Sequence, residues 1–256
     1  MSLSPDRLER FARHIVLPEV GGTGQVALAQ GHIVLIGCGG IGSPALQYLA
    51  AAGIGQLTLI DSDTIDLSNL QRQTIFTPAD VGHAKAKVAA AWVHRFDPAL
   101  QVRAIVDRVT RENVAALLAG ADVVLDGCDN FATRLIVSDA SVAAGIPLTS
   151  VAIGRFQGQI ANFAGHLPDQ PCYRCFVGDA FDAEDCDTCA ADGVLGAMAG
   201  MAGTFGAMQA MRVLLQGHAA LGDPQFGTIH LLDGLTPSLR PLAIAKDPGC
   251  KGCGAT

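Results

Sequence analysis

Two Cys-x-x-Cys pairs, Cys172/Cys175 and Cys250/Cys253, stand 74 residues apart in a chain that also carries the turn Gly37-Cys38-Gly39-Gly40-Ile41-Gly42. The cysteine pairs constrain the fold most. Four thiolates at this internal spacing suit a tetrahedral structural Zn²⁺. A shared ion would clip the C-terminal tail back onto the middle of the chain, beneath a hairpin near the end of the sequence. The other reading is two separate redox dithiols. Each pair follows Pro171 or Gly249 rather than opening a thioredoxin-like helix, which favours the metal.

The 256 residues, half of them hydrophobic, are within reach of one large α/β domain. Net charge is -7 and the pI about 5.4. No Lys/Arg cluster marks a nucleic-acid face, so nucleic-acid binding is disfavoured. The first residues, Met1 to Asp6, contain no apolar signal core, and a cytoplasmic location is expected. Eight cysteines in such a setting read as metal ligands or reactive thiols before disulfides. Gly193 to Met211 carries no charge over 19 residues, but it is mostly Gly, Ala and Met. It reads as a buried helix packed closely through Gly196, Gly200 and Gly203, or serving a subunit interface, rather than a membrane span.

Residues 4–17 predict one amphipathic helix, with Ser4 as cap, Pro5 in the first turn and Leu8, Phe11 and Ile15 on one face. Pro18 ends it, and Gly21, Gly22 and Gly24 predict a loop. Strands are expected at 32–36, 56–60, 101–106 and 123–125, with helices at 43–52, 83–96, 111–118 and 133–144 between and after them. This alternation predicts a parallel sheet. After Pro147 the pattern changes. Residues 149–153 with 157–163, and 228–232 with 240–245, predict hairpins that extend the same sheet in partly antiparallel fashion. No repeat or linker divides the chain. The expectation is a single domain over 1–256, with a nucleotide-binding half at about 30–148 and a second half at about 149–256.

Gly37-x-Gly39-x-x-Gly42 follows a strand and opens a helix, the context a phosphate-binding turn requires. Its glycines, Gly40 included, permit close backbone approach, and the helix N-terminus favours an anion. Asp61, 19 residues past Gly42 at the next strand end, is placed to accept from ribose hydroxyls. The bland alternative is an ordinary strand–helix turn, and the turn alone serves NAD or ATP equally. Asn69-Leu70-Gln71-Arg72-Gln73 and Lys85 separate the two. A triphosphate needs fixed cations for charge building on leaving pyrophosphate, whereas a dinucleotide oxidoreductase does not. Asp129, beside Asn130 at another strand end, is placed to hold a phosphate-bound Mg²⁺. Taken singly, Arg72 reads as a surface-loop residue and Lys85 as a solvated helix residue; the set with Asp61 and Asp129 argues otherwise.

Arg10 to Ile15, the Gly37–Gly42 turn, Asp61 to Gln73, Lys85, Cys128-Asp129-Asn130 and both Cys-x-x-Cys pairs together resemble the MoeB/ThiF family, bacterial relatives of ubiquitin-activating enzymes. The resemblance runs over nearly the whole chain, in order. It implies a homodimer on an extended Rossmann-like sheet, ATP and Mg²⁺ as cofactors, and zinc at the cysteines. The implied reaction is adenylation of the C-terminal glycine carboxylate of a small ubiquitin-like sulfur-carrier protein, of the molybdopterin-synthase or thiazole-synthesis type. Gly39 and Asp61 resemble adenosine-holding residues; Asn69, Arg72 and Lys85 phosphate-binding residues; Asp129 the Mg²⁺ ligand. Arg13 resembles an arginine that reaches the ATP of the other subunit, though the sequence alone also permits a solvated charge.

Cys189 resembles the family's loop cysteine, which in some members takes part in sulfur transfer or a covalent link to the carrier. Asp182, Glu184, Asp185 and Asp187 around it should raise a thiol's pKa, which argues against a constitutively reactive thiolate. Cys186 has no assigned role, and Cys38 and Cys128 are expected to pack. Ala197-Met198-Ala199 departs from the family pattern, where Pro is frequent. The length leaves no room for an appended rhodanese-type domain, so sulfur is expected from a separate donor. Two rival readings are an NAD-dependent oxidoreductase and a non-catalytic, zinc-stabilised binding scaffold.

Overall fold

The computed structural model describes residues 3–178 and 193–254. One eight-stranded sheet runs through them: β1 (His32–Ile36), β2 (Gln56–Ile60), β3 (Gln101–Ile105), β4 (Val123–Asp126), β5 (Leu148–Gly154), β6 (Gln157–Phe163), β7 (Thr228–Asp233) and β8 (Ser238–Ala243). Their spatial order is β3-β2-β1-β4-β5-β6-β7-β8. The first five are parallel, and β5 to β8 pair antiparallel. The parallel sheet and both expected hairpins are therefore present.

Nine helices surround the sheet among the described residues: α1 (Pro5–Arg10), α2 (Ala12–Ile15), α3 (Gly21–Gln30), α4 (Gly42–Ala52), α5 (Lys85–Phe96), α6 (Val114–Leu118), α7 (Phe131–Ala144), α8 (Tyr173–Val177) and α9 (Gly196–Leu214). Successive strand residues point to opposite faces. Ile33, Leu35, Leu57 and Leu59 join Leu46, Leu49, Val93 and Ala202 in one core. Val34, Ile36 and Val124 join Leu118, Leu135 and Tyr173 in the other. Burial on both faces explains the continuous apolar runs 33–36 in β1 and 123–125 in β4.

The N-terminal segment differs from the expected single helix. It breaks into α1 and α2 at Phe11, which is 2% exposed. Its ring packs on Gly53, where an added Cβ would lie 2.3 Å from Phe11 Cζ. Arg7 and Arg10 pair with the buried Asp97, so α1 is fastened to its own chain. Leu8, expected on the buried stripe, is exposed.

The expected loop at Gly21, Gly22 and Gly24 is instead the first part of α3. Glycine costs about 1 kcal/mol per helical residue, but here contacts offset it. Gly24 lies against Ala219 and Val20, and Gln25 and Leu28 are buried.

Most of the charge-free stretch 193–211 lies in α9, which runs on past Arg212 to Leu214, and its close packing is real but differently distributed. Added Cβ atoms would strike Gln71 O at Gly196, Ile41 O at Gly203 and Val151 at Gly206, whereas Gly200 has open space. Among the described residues no helix is long and apolar enough to cross a membrane.

Candidate active site

The C-terminal ends of β1, β2 and β4 open into a cleft of about 560 Å³. This is the edge of an open α/β sheet at which ligands bind. Gly37, Gly39, Gly40, Asp61, Asn69, Arg72, Gln73, Lys85, Asp129 and Asn130 all line it. The turn after β1 is built on backbone contact. Gly37 has φ +84°, and a Cβ on Gly42 would stand 1.9 Å from Gly37 O. Only a residue without a side chain fits Gly42, which opens α4 toward the cleft.

Asp61 ties this turn to β2. One oxygen accepts from Cys38 N at 2.7 Å and the other from Asp63 N at 2.8 Å. Burial raises its pKa from the ordinary value, opposed by those N–H groups and by Lys85. Asn69 ends a 3₁₀ turn, and its oxygen accepts from Asp66 N at 3.1 Å. Arg72 donates to Ser68 O at 3.2 Å and lies over Gly40, whose added Cβ would be 3.1 Å from Arg72 Cδ. Gln73 is buried beneath Gly39, and its Oε1 has no hydrogen-bond partner among the described residues. A buried acceptor of this kind, at the wall of a cleft, is a docking point for a donor.

Lys85 starts α5 and is buried, with Nζ 2.8 Å from Asp63 Oδ2 and its backbone N–H on Asp63 O at 2.9 Å. Asp129 is exposed at the mouth. Asn130 caps α7 by accepting from Thr133 N at 2.8 Å. The turn that carries them is held by Arg134, a buried guanidinium that donates to Cys128 O, to Val151 O at 2.8 Å and to Ser150 Oγ at 3.2 Å. Asp126 stands 3.6 Å from it.

Sequence reading missed three contributors. Asp63 has a signal in Asp61-Ser62-Asp63, but its hold on Lys85 needs the fold to bring residues 63 and 85 together. Arg134 is a buried charge with no periodic mark. Arg108, from the segment after β3, adds a third cation to the lining. Arg13 is exposed and lines no part of its own chain's cleft. Cys186 and Cys189 lie outside the described residues. Burial pushes the thiols of Cys38 and Cys128 well up; Cys38 packs in the core as expected, whereas Cys128 is partly exposed, lines the cleft and donates to Asn130 O at 3.7 Å.

Away from the cleft, the sulfurs of Cys172, Cys175, Cys250 and Cys253 lie within 4.8 Å of one another. Distances of 3.4 Å (Cys175–Cys253), 3.6 Å (Cys172–Cys250) and 4.0 Å (Cys172–Cys175) bracket the roughly 3.8 Å edge of a tetrahedral zinc–thiolate site. The donor set therefore fits Zn²⁺. Contrary to the expectation that neither pair opens a helix, Cys172 is the N-cap of α8.

The fold and cleft define an α/β protein with a glycine turn, fixed cations and an exposed carboxylate around one nucleotide-sized space. Residues 11–252 match the ThiF family, and the chain belongs to it. The sulfur carrier protein adenylyltransferase of Thermus thermophilus is 39% identical over 99% of this chain and 93% of that protein. The SAMP-activating enzyme E1 of Haloferax volcanii is 44% identical over 70% of this chain and 66% of its own length. The adenylyltransferase and sulfurtransferase MOCS3 of Mus musculus is 39% identical over 99% of this chain, which spans only 54% of that relative. Among solved structures, E. coli MccB with ATP superposes with a TM-score of 0.80 at 20% identity, covering 96% of this chain and 75% of that one. That likeness is one of fold.

Proposed function

We propose that this chain is an adenylyltransferase that activates the C-terminal glycine carboxylate of a small ubiquitin-like sulfur-carrier protein with ATP. The observation that carries the reading is the convergence of Arg72, Lys85 and Asp129 with the Gly37–Gly42 turn on one cleft. The relative matched over nearly its full length bears the same activity in its name. An NAD-dependent oxidoreductase has no use for these cations, and a passive scaffold has no use for the set.

The glycine turn and the N-terminus of α4 receive phosphate. Asp61 retains lone pairs for ribose hydroxyls beside the two N–H groups that it already accepts. Arg72 and Lys85, with Asn69, hold the β- and γ-phosphates, and Lys85 exchanges Asp63 for a phosphate oxygen. Asp129 would hold Mg²⁺, which neutralises charge on the pyrophosphate. The carrier carboxylate attacks the α-phosphorus; a carboxylate O–P bond forms and the bridging P–O bond to pyrophosphate breaks. The nucleophile is already ionised at neutral pH, so no general base is needed. Positioning and electrostatics supply the acceleration. A sulfide-level sulfur nucleophile from a separate donor then attacks the carrier's activated carbonyl carbon; a C–S bond forms, the acyl C–O bond breaks and AMP leaves.

The finer reading includes Zn²⁺ at the four cysteines, a homodimer in which Arg13 reaches the partner's cleft, and a cytoplasmic setting. The carrier is of the molybdopterin or thiazole type. Mixing the protein with candidate carriers and ATP tests the activity. Carrier gaining the mass of AMP, with pyrophosphate exchange into ATP, is the expected result. Neither with any carrier of this class would overturn it.

A further inference from the structure

The cysteine cluster sits against an ion pair that the nucleotide cleft does not use. Arg174, inside the first Cys-x-x-Cys turn, donates from Nε to Asp139 Oδ1 at 2.7 Å and from Nη2 to Asp139 Oδ2 at 2.9 Å. This is a two-pronged fork, the geometry that gives an Arg–carboxylate pair its directional strength. The Arg174 side chain is 6% exposed. Asp139 belongs to α7, whose first turn walls the cleft.

The C-terminal tail closes over this pair at one residue. A Cβ on Gly252 would lie 2.9 Å from Arg174 Cδ, 3.0 Å from Asp139 Oδ1 and 3.4 Å from Cys172 Sγ. Arginine stem, carboxylate and sulfur thus meet over the Cα of the glycine between Cys250 and Cys253. Two backbone N–H groups also face cluster sulfurs, Asp247 N toward Cys175 and Gly252 N toward Cys250, each at 3.4 Å.

Four thiolates around one Zn²⁺ leave two net negative charges. Keeping these in a largely buried place calls for hydrogen bonds to the sulfurs and for a firmly held frame around the ligands. We propose that the Arg174–Asp139 pair is the seat of the metal cluster. It fixes the first cysteine turn so that its sulfurs face the tail, packs the Arg174 stem against the tail at Gly252, and fastens the cluster to α7. Gly252 is required because any side chain there would strike the pair. The proposal rests on the reading of the four cysteines as a Zn²⁺ site.

The test uses the full chain purified without added zinc. Metal content and the rate of release to a chromogenic chelator are measured for the wild type, Asp139→Asn, Arg174→Lys and Gly252→Ala, below the temperature at which far-UV circular dichroism changes. The wild type should hold one Zn²⁺, and all three variants should lose it about tenfold faster or more, the lower range seen when a group supporting a metal ligand is removed. Asp97→Asn, which breaks the buried pairing of α1, serves as control and should release zinc at the wild-type rate. Should Asp139→Asn not fold, the other two variants decide. A wild type without zinc defeats the zinc reading itself. Zinc present but released at the wild-type rate from the variants, or equally fast from the control, overturns the seat and leaves the zinc reading standing.

Discussion

The two ends of the sheet are held in different ways. Around β1, β2 and β4 the strands are buried on both faces. Hydrophobic burial there, at about 25 cal/mol per Å², fixes the backbone on which the cleft stands. At the other end β8 is exposed along its whole length, and the tail beyond it reaches the middle of the chain through cysteine sulfurs. One end is packed on both faces; at the other, the antiparallel ladder ends at β8, and the tail beyond it is held by Lys246, which donates to Gly165 O at 3.1 Å and Leu167 O at 2.9 Å, and by the four cysteines. The difference assigns chemistry to the first region and attachment to the second.

The sharpest way to break this division is Asp129→Ala. Asp129 is exposed, so its loss should leave the melting temperature within a degree or so while adenylation falls by about 10²–10³-fold, the scale for losing one group aimed at transition-state charge. Near-normal pyrophosphate exchange would remove Asp129 from the mechanism.

Next in size is the Arg13 prediction, which asks whether the packed end is complete in one chain. Arg13 lines no part of its own cleft, while Phe11, two residues earlier, pins the segment to its own chain. Arg13→Ala and Arg72→Ala should each be nearly inactive. Mixed in equal amounts they should recover about a quarter of wild-type activity, since half the dimers are mixed and each holds one intact site in a two-fold assembly. No recovery, with subunit exchange verified by mass, would place Arg13 outside the site.

Cys250→Ser tests the second region directly. Removing one ligand should free the tail, seen as early proteolysis after residue 245, while ATP affinity stays within about threefold, because structural zinc contributes folding energy locally. Equal loss of ATP binding and tail protection would mean that the two ends are one cooperative unit.

What could be read beforehand follows the same division. The strand patterns of His32–Ile36 and Gln56–Ile60, the glycine turn and the cysteine spacing are local signals; the fold forms both strands and brings the four cysteines together. The features that escaped depend on distant partners. α3 is helical despite three glycines because Gly24 fits against Ala219. Lys85 is aimed by Asp63, and the turn bearing Asp129 by Arg134. The break at Phe11 follows from a pocket over Gly53. None of these pairings leaves a period or motif in the chain.

The smallest expected effect separates binding from stability within the cleft itself. Burial raises the pKa of Asp61 in the folded chain above its unfolded value. The folded state therefore holds this proton more tightly than the unfolded state. As pH falls through the raised pKa, protonation of Asp61 adds to stability; as pH rises through it, that contribution is lost. Binding runs the other way, because the neutral acid is a poorer acceptor for ribose hydroxyls. Lowering the pH from neutral toward the ordinary carboxylate range should weaken ATP binding several-fold before circular dichroism reports unfolding. Titration of ATP itself is common to the wild type and Asp61→Asn, so the ratio of their affinities isolates the residue. That ratio should shrink toward one as pH falls. A ratio independent of pH would mean that Asp61 serves only to tie Cys38 and Asp63 into the turn, and that the ribose is held elsewhere.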